Sequence, residues 1–152
     1  MKFSDPEKAI LRHLQRDISA SLATLAERCG MSQSTVWRKI QDFDASGVIR
    51  RRVALLDPAA LEVKLTVLAS ISLEDHSEQA VAGFARLVRA HPEITECHAV
   101  SGTSDYVLKV RVADVEAYER FMTTTLLRNP VVRSVQSSFV LREIKSTTEL
   151  PI

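Results

Sequence analysis

Between Ser32 and Arg52 the chain gathers hydroxyl, amide and guanidinium side chains, and no cluster there suits bond-making chemistry. The stretch "CGMSQSTVWRKIQDFDASGVIRRRV" holds Ser32, Gln33, Ser34 and Thr35, then Arg38 and Lys39, then Arg50, Arg51 and Arg52. Gln, Ser and Thr bond base edges, while Arg bonds guanine or phosphate. A second set lies at "SGTSD". There Gly102 permits close backbone approach, Ser101, Thr103 and Ser104 supply hydroxyls and amides, and Asp105 supplies a carboxylate. Those groups suit a zwitterion, with amides toward a carboxylate and Asp105 toward an ammonium. They equally make an ordinary β-turn, and the chemistry alone leaves both readings open.

Catalytic or metal-centred readings find little. His13, His76, His91 and His98 are dispersed, and only His98 lies near the glycine turn. No Ser-His-Asp spacing, phosphate-cradling glycine loop or metal-ligand cluster is present, so no catalytic residue, metal or cofactor is expected. Cys29 and Cys97 are too few and too far apart for a disulfide framework or a zinc knuckle.

The elements that must position the first set are helices. Asp5-Pro6 suggests an N-cap and first turn, after which Ile10, Leu11 and Leu14 line one side of a helix. Leu22, Leu25 and Ala26 give a short second helix that Gly30 ends by adopting a left-handed conformation. Ser32 caps a third, whose buried face carries Val36, Ile40 and Phe43. A short helix, a glycine turn and a polar-tipped helix form the helix-turn-helix pattern, in which the second helix enters the major groove. "VIRRRVALLD" reads as a strand or ribbon, a wing that brings its three arginines to the phosphates. Trp37, next to Val36, is assigned to packing against the first helix or a partner subunit, ahead of base intercalation.

The second set sits in a different module. Asp57-Pro58 marks a boundary. Alternation at Leu65–Leu73 gives a strand, Val81, Phe84, Ala85 and Val88 a helix, and Ile94–Val100 and Tyr106–Val112 two more strands. Val115, Tyr118, Met122 and Leu126 mark a second helix ended by Pro130, and Val131–Leu141 a fourth strand. The βαββαβ order is ferredoxin-like, a four-stranded antiparallel sheet with two helices on one face. An apolar open face on such a sheet predicts association, most simply as a two-fold dimer.

Charge follows the same division. Residues 1–53 hold ten Lys/Arg against six Asp/Glu, a net +4, and residues 54–152 hold ten against thirteen, a net −3. A basic front module fits nucleic-acid contact. With no long apolar run and no signal-peptide core in "MKFSDPEKAILRHLQRD", a cytoplasmic protein is expected.

The pieces "LAERCGMSQSTVWRKIQDFDASGVI", "LLDPAAL", "ECHAVSGTSDYVLKV" and "VLREIKSTTELPI", in that order, resemble the Lrp/AsnC (leucine-responsive, feast/famine) transcription regulators over about residues 4 to 152. The resemblance implies an α+β chain: a winged helix-turn-helix over 1–56, a linker over 57–64 and a ferredoxin-like (RAM) domain over 65–152 that binds effector and oligomerises. It implies a sequence-specific regulator of double-stranded DNA, not an enzyme. It also implies a homodimer assembling to a tetramer or octamer, with an amino-acid effector between sensing domains. Its effector residues map onto Gly102, Thr103, Ser104 and Asp105 and, from a neighbouring subunit's last strand, Gln136 and Ser137. Where the family often carries an aromatic residue in the turn, this chain has Ser104. The mostly apolar surroundings of the turn favour leucine or methionine. Siroheme decarboxylase subunits share the two-module architecture and use histidines, with His98 the candidate here; the polar helix and three wing arginines favour the regulator.

Overall fold

In the computed structural model, which describes residues 3–152, the chain divides into two compact units. One takes the chain through Leu55 together with Ile144–Ile152; the other is Leu56–Glu143. Residues 1 and 2 of the expected first domain lie outside the described residues. The closing segment, assigned by sequence to the second domain, lies with the first.

The first unit is built on α1 (Asp5–Leu14), α2 (Leu22–Cys29) and α3 (Gln33–Ala45). Ser4, not Asp5, is the N-cap of α1, and the Glu7 carboxylate accepts from both the Ser4 amide (2.9 Å) and hydroxyl (2.8 Å). Ile10, Leu25, Ala26, Val36 and Phe43 form its core, with Leu11, Leu14, Leu22 and Ile40 packed around them. These are the residues the helical periodicity selected, since removing that stripe from water is what holds three short helices together. The Ile144–Ile152 segment is fastened to α1. Leu150 exchanges two hydrogen bonds with the Gln15 side-chain amide (2.9 and 3.0 Å), Arg16 pairs with Glu149 (2.9 Å), and Arg12 donates to the Ile152 carbonyl (2.7 Å).

Among the described residues of the first unit, no strand follows α3. Residues 50–57 carry no regular structure, so the expected ribbon is replaced by an open segment. A ribbon needs a second strand to take up its amides and carbonyls, and residues 50–57 pair with none among the described residues.

The second unit runs β1 (Leu65–Leu73), α4 (Glu78–Ala90), β2 (Ile94–Ala99), β3 (Tyr106–Val112), α5 (Val115–Phe121) and β4 (Val132–Phe139). The sheet order is β2-β3-β1-β4, antiparallel throughout, which is the ferredoxin-like arrangement. Alternation sends Val67, Ala69, Ile71, Leu73, Leu108, Val110 and Val112 toward Phe84, Tyr118, Phe121 and Leu126. The second helix is not α-helical to its end. Met122–Leu126 forms a π-helical turn, where the Thr123 and Thr124 hydroxyls bond back to the carbonyls of Glu119 and Arg120.

The opposite face of the sheet is less apolar than the strand pattern suggested. Alternation gives it Leu68 and Val107, but also Thr66, Ser70, Lys109, Arg111, Gln136 and Ser138. The apolar series of the strands is spent on the helix side.

Candidate nucleic-acid interface and effector turn

The turn between α2 and α3 is fixed by local chemistry. The Ser21 hydroxyl accepts the Thr24 amide (3.1 Å) to start α2. Gly30 ends α2 at φ 64°, a conformation that costs any residue with a Cβ, and the Met31 amide bonds back to Ala26 (2.9 Å). Ser32 then caps α3 by accepting the Thr35 amide (3.2 Å), and its hydroxyl lies 2.8 Å from that of Thr35. Ser32 and Thr35 therefore hold the start of the helix, while Gln33, Ser34 and Arg38 project from it, all exposed. Among the described residues, neither Gln33 nor Arg38 has a side-chain hydrogen bond or ion pair.

The other predicted cations differ. Lys39 is partly buried and bonds to Glu7 of α1 (2.7 Å), so it clamps α3 to α1. That bond, with those from Ser4, holds the Glu7 carboxyl down at about 2. Arg52 pairs with Asp44 at the end of α3 (2.7 Å) and ties the following segment back to the helix. Arg50 and Arg51 are exposed and unpaired among the described residues.

One outward residue is expected from sequence to pack against α1 or a partner subunit. Trp37 is 56% exposed and stands on α3 at helical spacing from Ser34 and Gln41, beside Arg38. Its place three residues after Ser34 is the signal in the sequence for this outward position.

The glycine turn joins β2 to β3. Asp105 is firmly seated: its Oδ2 accepts the Leu73 amide at 2.7 Å, and its Oδ1 lies 2.9 Å from His76 Nε2. Its own amide donates to the Ile71 carbonyl (2.9 Å) and its carbonyl accepts from Val100 (3.0 Å). The Leu73 amide first and the His76 ring second hold its carboxyl below the ordinary range, with Arg133 adding a weaker pull. Gly102 sits at φ 153°, with nothing within 4 Å of where a Cβ would be. Gly102 and Thr103 are exposed and Ser104 is half-buried. Among the described residues, the amides of these three make no intramolecular hydrogen bond. The turn thus presents unengaged donors beside a carboxylate already shared with the chain. His76 was missed; it lies 29 positions from Asp105, and nothing in "EDHS" announces the pairing.

Gln136 and Ser137 point to opposite sides of β4. Gln136 is exposed and opposite Ser70 on the open face. The Ser137 hydroxyl turns toward the helices, 2.6 Å from Tyr118 Oη and 3.9 Å from Met122 Sδ. His98 is exposed on the edge strand β2, its Nε2 3.3 Å from Glu96. No group of three metal-ligating side chains occurs among the described residues.

The model of the AsnC-type helix-turn-helix domain matches residues 7–43, and that of the Lrp/AsnC ligand binding domain matches residues 66–150. The chain belongs to the Lrp/AsnC family. Along 99% of its length this Lrp/AsnC protein is 35% identical to the glutamate uptake regulatory protein of Zymomonas mobilis, covering 92% of that protein. It is also 35% identical to the leucine-responsive regulatory protein of Escherichia coli, over 96% of this chain and 89% of that one. A transcriptional regulator of Neisseria meningitidis, solved as its complex with L-methionine, superimposes with a TM-score of 0.95 at 34% identity, covering 99% of this chain and 97% of that one. These are regulators, and nothing in the comparisons favours the siroheme-linked reading. No described helix is long and apolar enough to cross a membrane.

Proposed function

We infer that this Lrp/AsnC regulator reads duplex DNA through α3 and adjusts that reading to an amino acid held at the β2–β3 turn. Gln33, Ser34 and Arg38 are assigned to base edges, with Ser32 and Thr35 holding the helix start from which they project. Arg50 and Arg51 are assigned to phosphates; Lys39 and Arg52 reach phosphate only while sharing their charge with Glu7 and Asp44. The effector carboxylate sits on the amides of Gly102, Thr103 and Ser104, and its ammonium shares Asp105 with His76. Gln136 contributes from the open face of β4, and Ser137 supports the strand from behind through Tyr118. Val100 and Tyr106 flank the turn, so leucine or methionine is the effector favoured. A homodimer that assembles further, to a tetramer or octamer, supplies two reading helices; the exposed Leu55 (74%), Leu56 (70%) and Leu141 (97%) support self-association.

The observation that carries this reading is the start of α3, capped from within and presenting Gln33 and Arg38 to solvent, unpaired among the described residues. The effector regulates only by binding the DNA-competent and alternative states unequally. Gel-shift titration of a duplex selected from a random pool tests the first half. Arg38→Ala should weaken the selected duplex by about 1–3 kcal/mol if Arg38 meets a base, and weaken all duplexes alike if it meets phosphate. Calorimetry with leucine and methionine tests the second half, and wild type that binds neither amino acid defeats this effector assignment.

A further inference from the structure

The reading helix carries one exposed side chain that is mostly apolar, with a single hydrogen-bond donor in its indole N–H. Trp37 is the only tryptophan in the chain, and it is exposed on α3 while Val36 beside it is fully buried. Helical spacing puts it in one outward stripe with Ser34, Arg38 and Gln41, all exposed. No aromatic ring pairs with it among the described residues. What sets Trp37 apart from other exposed apolar residues is its place: a large, rigid ring in the middle of the polar stripe assigned to DNA.

What the ring meets follows from what the stripe faces. A helix docked in the major groove brings its first two turns to base edges, and Trp37 lies within them, between Ser34 and Gln41. All four bases present polar atoms in that groove, and the one methyl group among them is the 5-methyl of thymine. Resting on the assignment of α3 to DNA, we propose that Trp37 is a specificity-determining residue whose indole packs on a thymine methyl and so selects A·T over G·C at one position of each half-site. Ser34 and Arg38, on either side, fix the neighbouring base pairs by hydrogen bonds. A ring in mid-helix, flanked by polar contacts that set the depth of the helix, meets base edges and does not wedge between base pairs.

The test uses the full-length protein and a duplex selected from a random pool, with each thymine replaced in turn by deoxyuridine, which lacks only the methyl. Wild type should lose about four-fold in affinity at one thymine per half-site, the worth of one buried methyl group. Trp37→Ala should bind the parent duplex more weakly and be indifferent to that replacement, whereas Trp37→Leu, still apolar, should keep part of the sensitivity. Because Trp37 is the sole tryptophan, its fluorescence gives an independent readout: open to acrylamide quenching in the free protein and shielded on the selected duplex. Sensitivity to deoxyuridine that persists in Trp37→Ala overturns the proposal. So does a tryptophan already shielded without DNA, which would mean that protein covers it. A consensus with no methyl-sensitive thymine refutes this proposal alone; a pool that yields no consensus refutes the DNA reading and this proposal together.

Discussion

Ser137 offers a sharp test because the family resemblance puts it among the effector contacts while its hydroxyl turns inward. It lies 2.6 Å from the hydroxyl of Tyr118, which is 2% exposed, and Met122 Sδ closes the other side. A neutral hydrogen bond contributes about 0.5–1.5 kcal/mol net, and a buried partner left unsatisfied costs about 1–3 kcal/mol. Ser137→Ala strands the buried Tyr118 hydroxyl and should cost about 2 kcal/mol. Tyr118→Phe leaves only the less buried serine without its partner and should cost about 1 kcal/mol. The double variant then loses the bond once and strands neither group, so its cost should fall short of the sum by about 1 kcal/mol or more. Urea unfolding of the four proteins at equal concentration measures this. Costs that add to within about 0.3 kcal/mol would show that the two hydroxyls are not coupled, and the inward placement of Ser137 would fail.

Three further outcomes follow from charges and loops. The Glu7 carboxyl, held at about 2 against an ordinary 4.5, contributes stability that is full above pH 4.5 and lost as pH falls toward 2. Thermal melts of Glu7→Gln across that range should therefore fall less steeply than those of wild type. Replacing both Arg50 and Arg51 by alanine removes two cations per subunit and should flatten the plot of log affinity against log salt by about 2 for each subunit on the DNA, about 4 for a dimer; an unchanged slope would remove them from the phosphates. Gln15→Ala with Arg16→Ala should loosen the Ile144–Ile152 segment, seen as faster proteolytic trimming there, at a cost to the first unit of about 1 kcal/mol.

Much of the fold was legible because it depends on neighbours in sequence. Ser21, Gly30 and Ser32 act within three or four residues of themselves, so the helix-turn-helix could be read from caps and the i, i+3, i+4 stripe alone. The strands were legible from alternation, although the face that alternation left outward proved largely polar. The expected ribbon at "VIRRRVALLD" failed because a strand depends on a partner that its own sequence does not contain. The π-helical turn at Met122–Leu126 keeps nearly the same apolar spacing as an α-helix, so the pattern could not separate them. At the sites, residue type was readable and pairing was not. Lys39 and Arg50 look alike in sequence, yet one is taken up by Glu7, 32 residues away, and the other is open to solvent. Asp105 likewise read as a free carboxylate, whereas Leu73 and His76 occupy both of its oxygens.

One amino acid should change how tightly this chain holds its DNA. Fluorescence anisotropy of a selected duplex, titrated at fixed salt with and without each of the twenty amino acids at millimolar concentration, tests it directly. Leucine or methionine should shift the dissociation constant by about five-fold or more, the usual lower bound for coupled sites. The same dissociation constant in the presence of all twenty would contradict it.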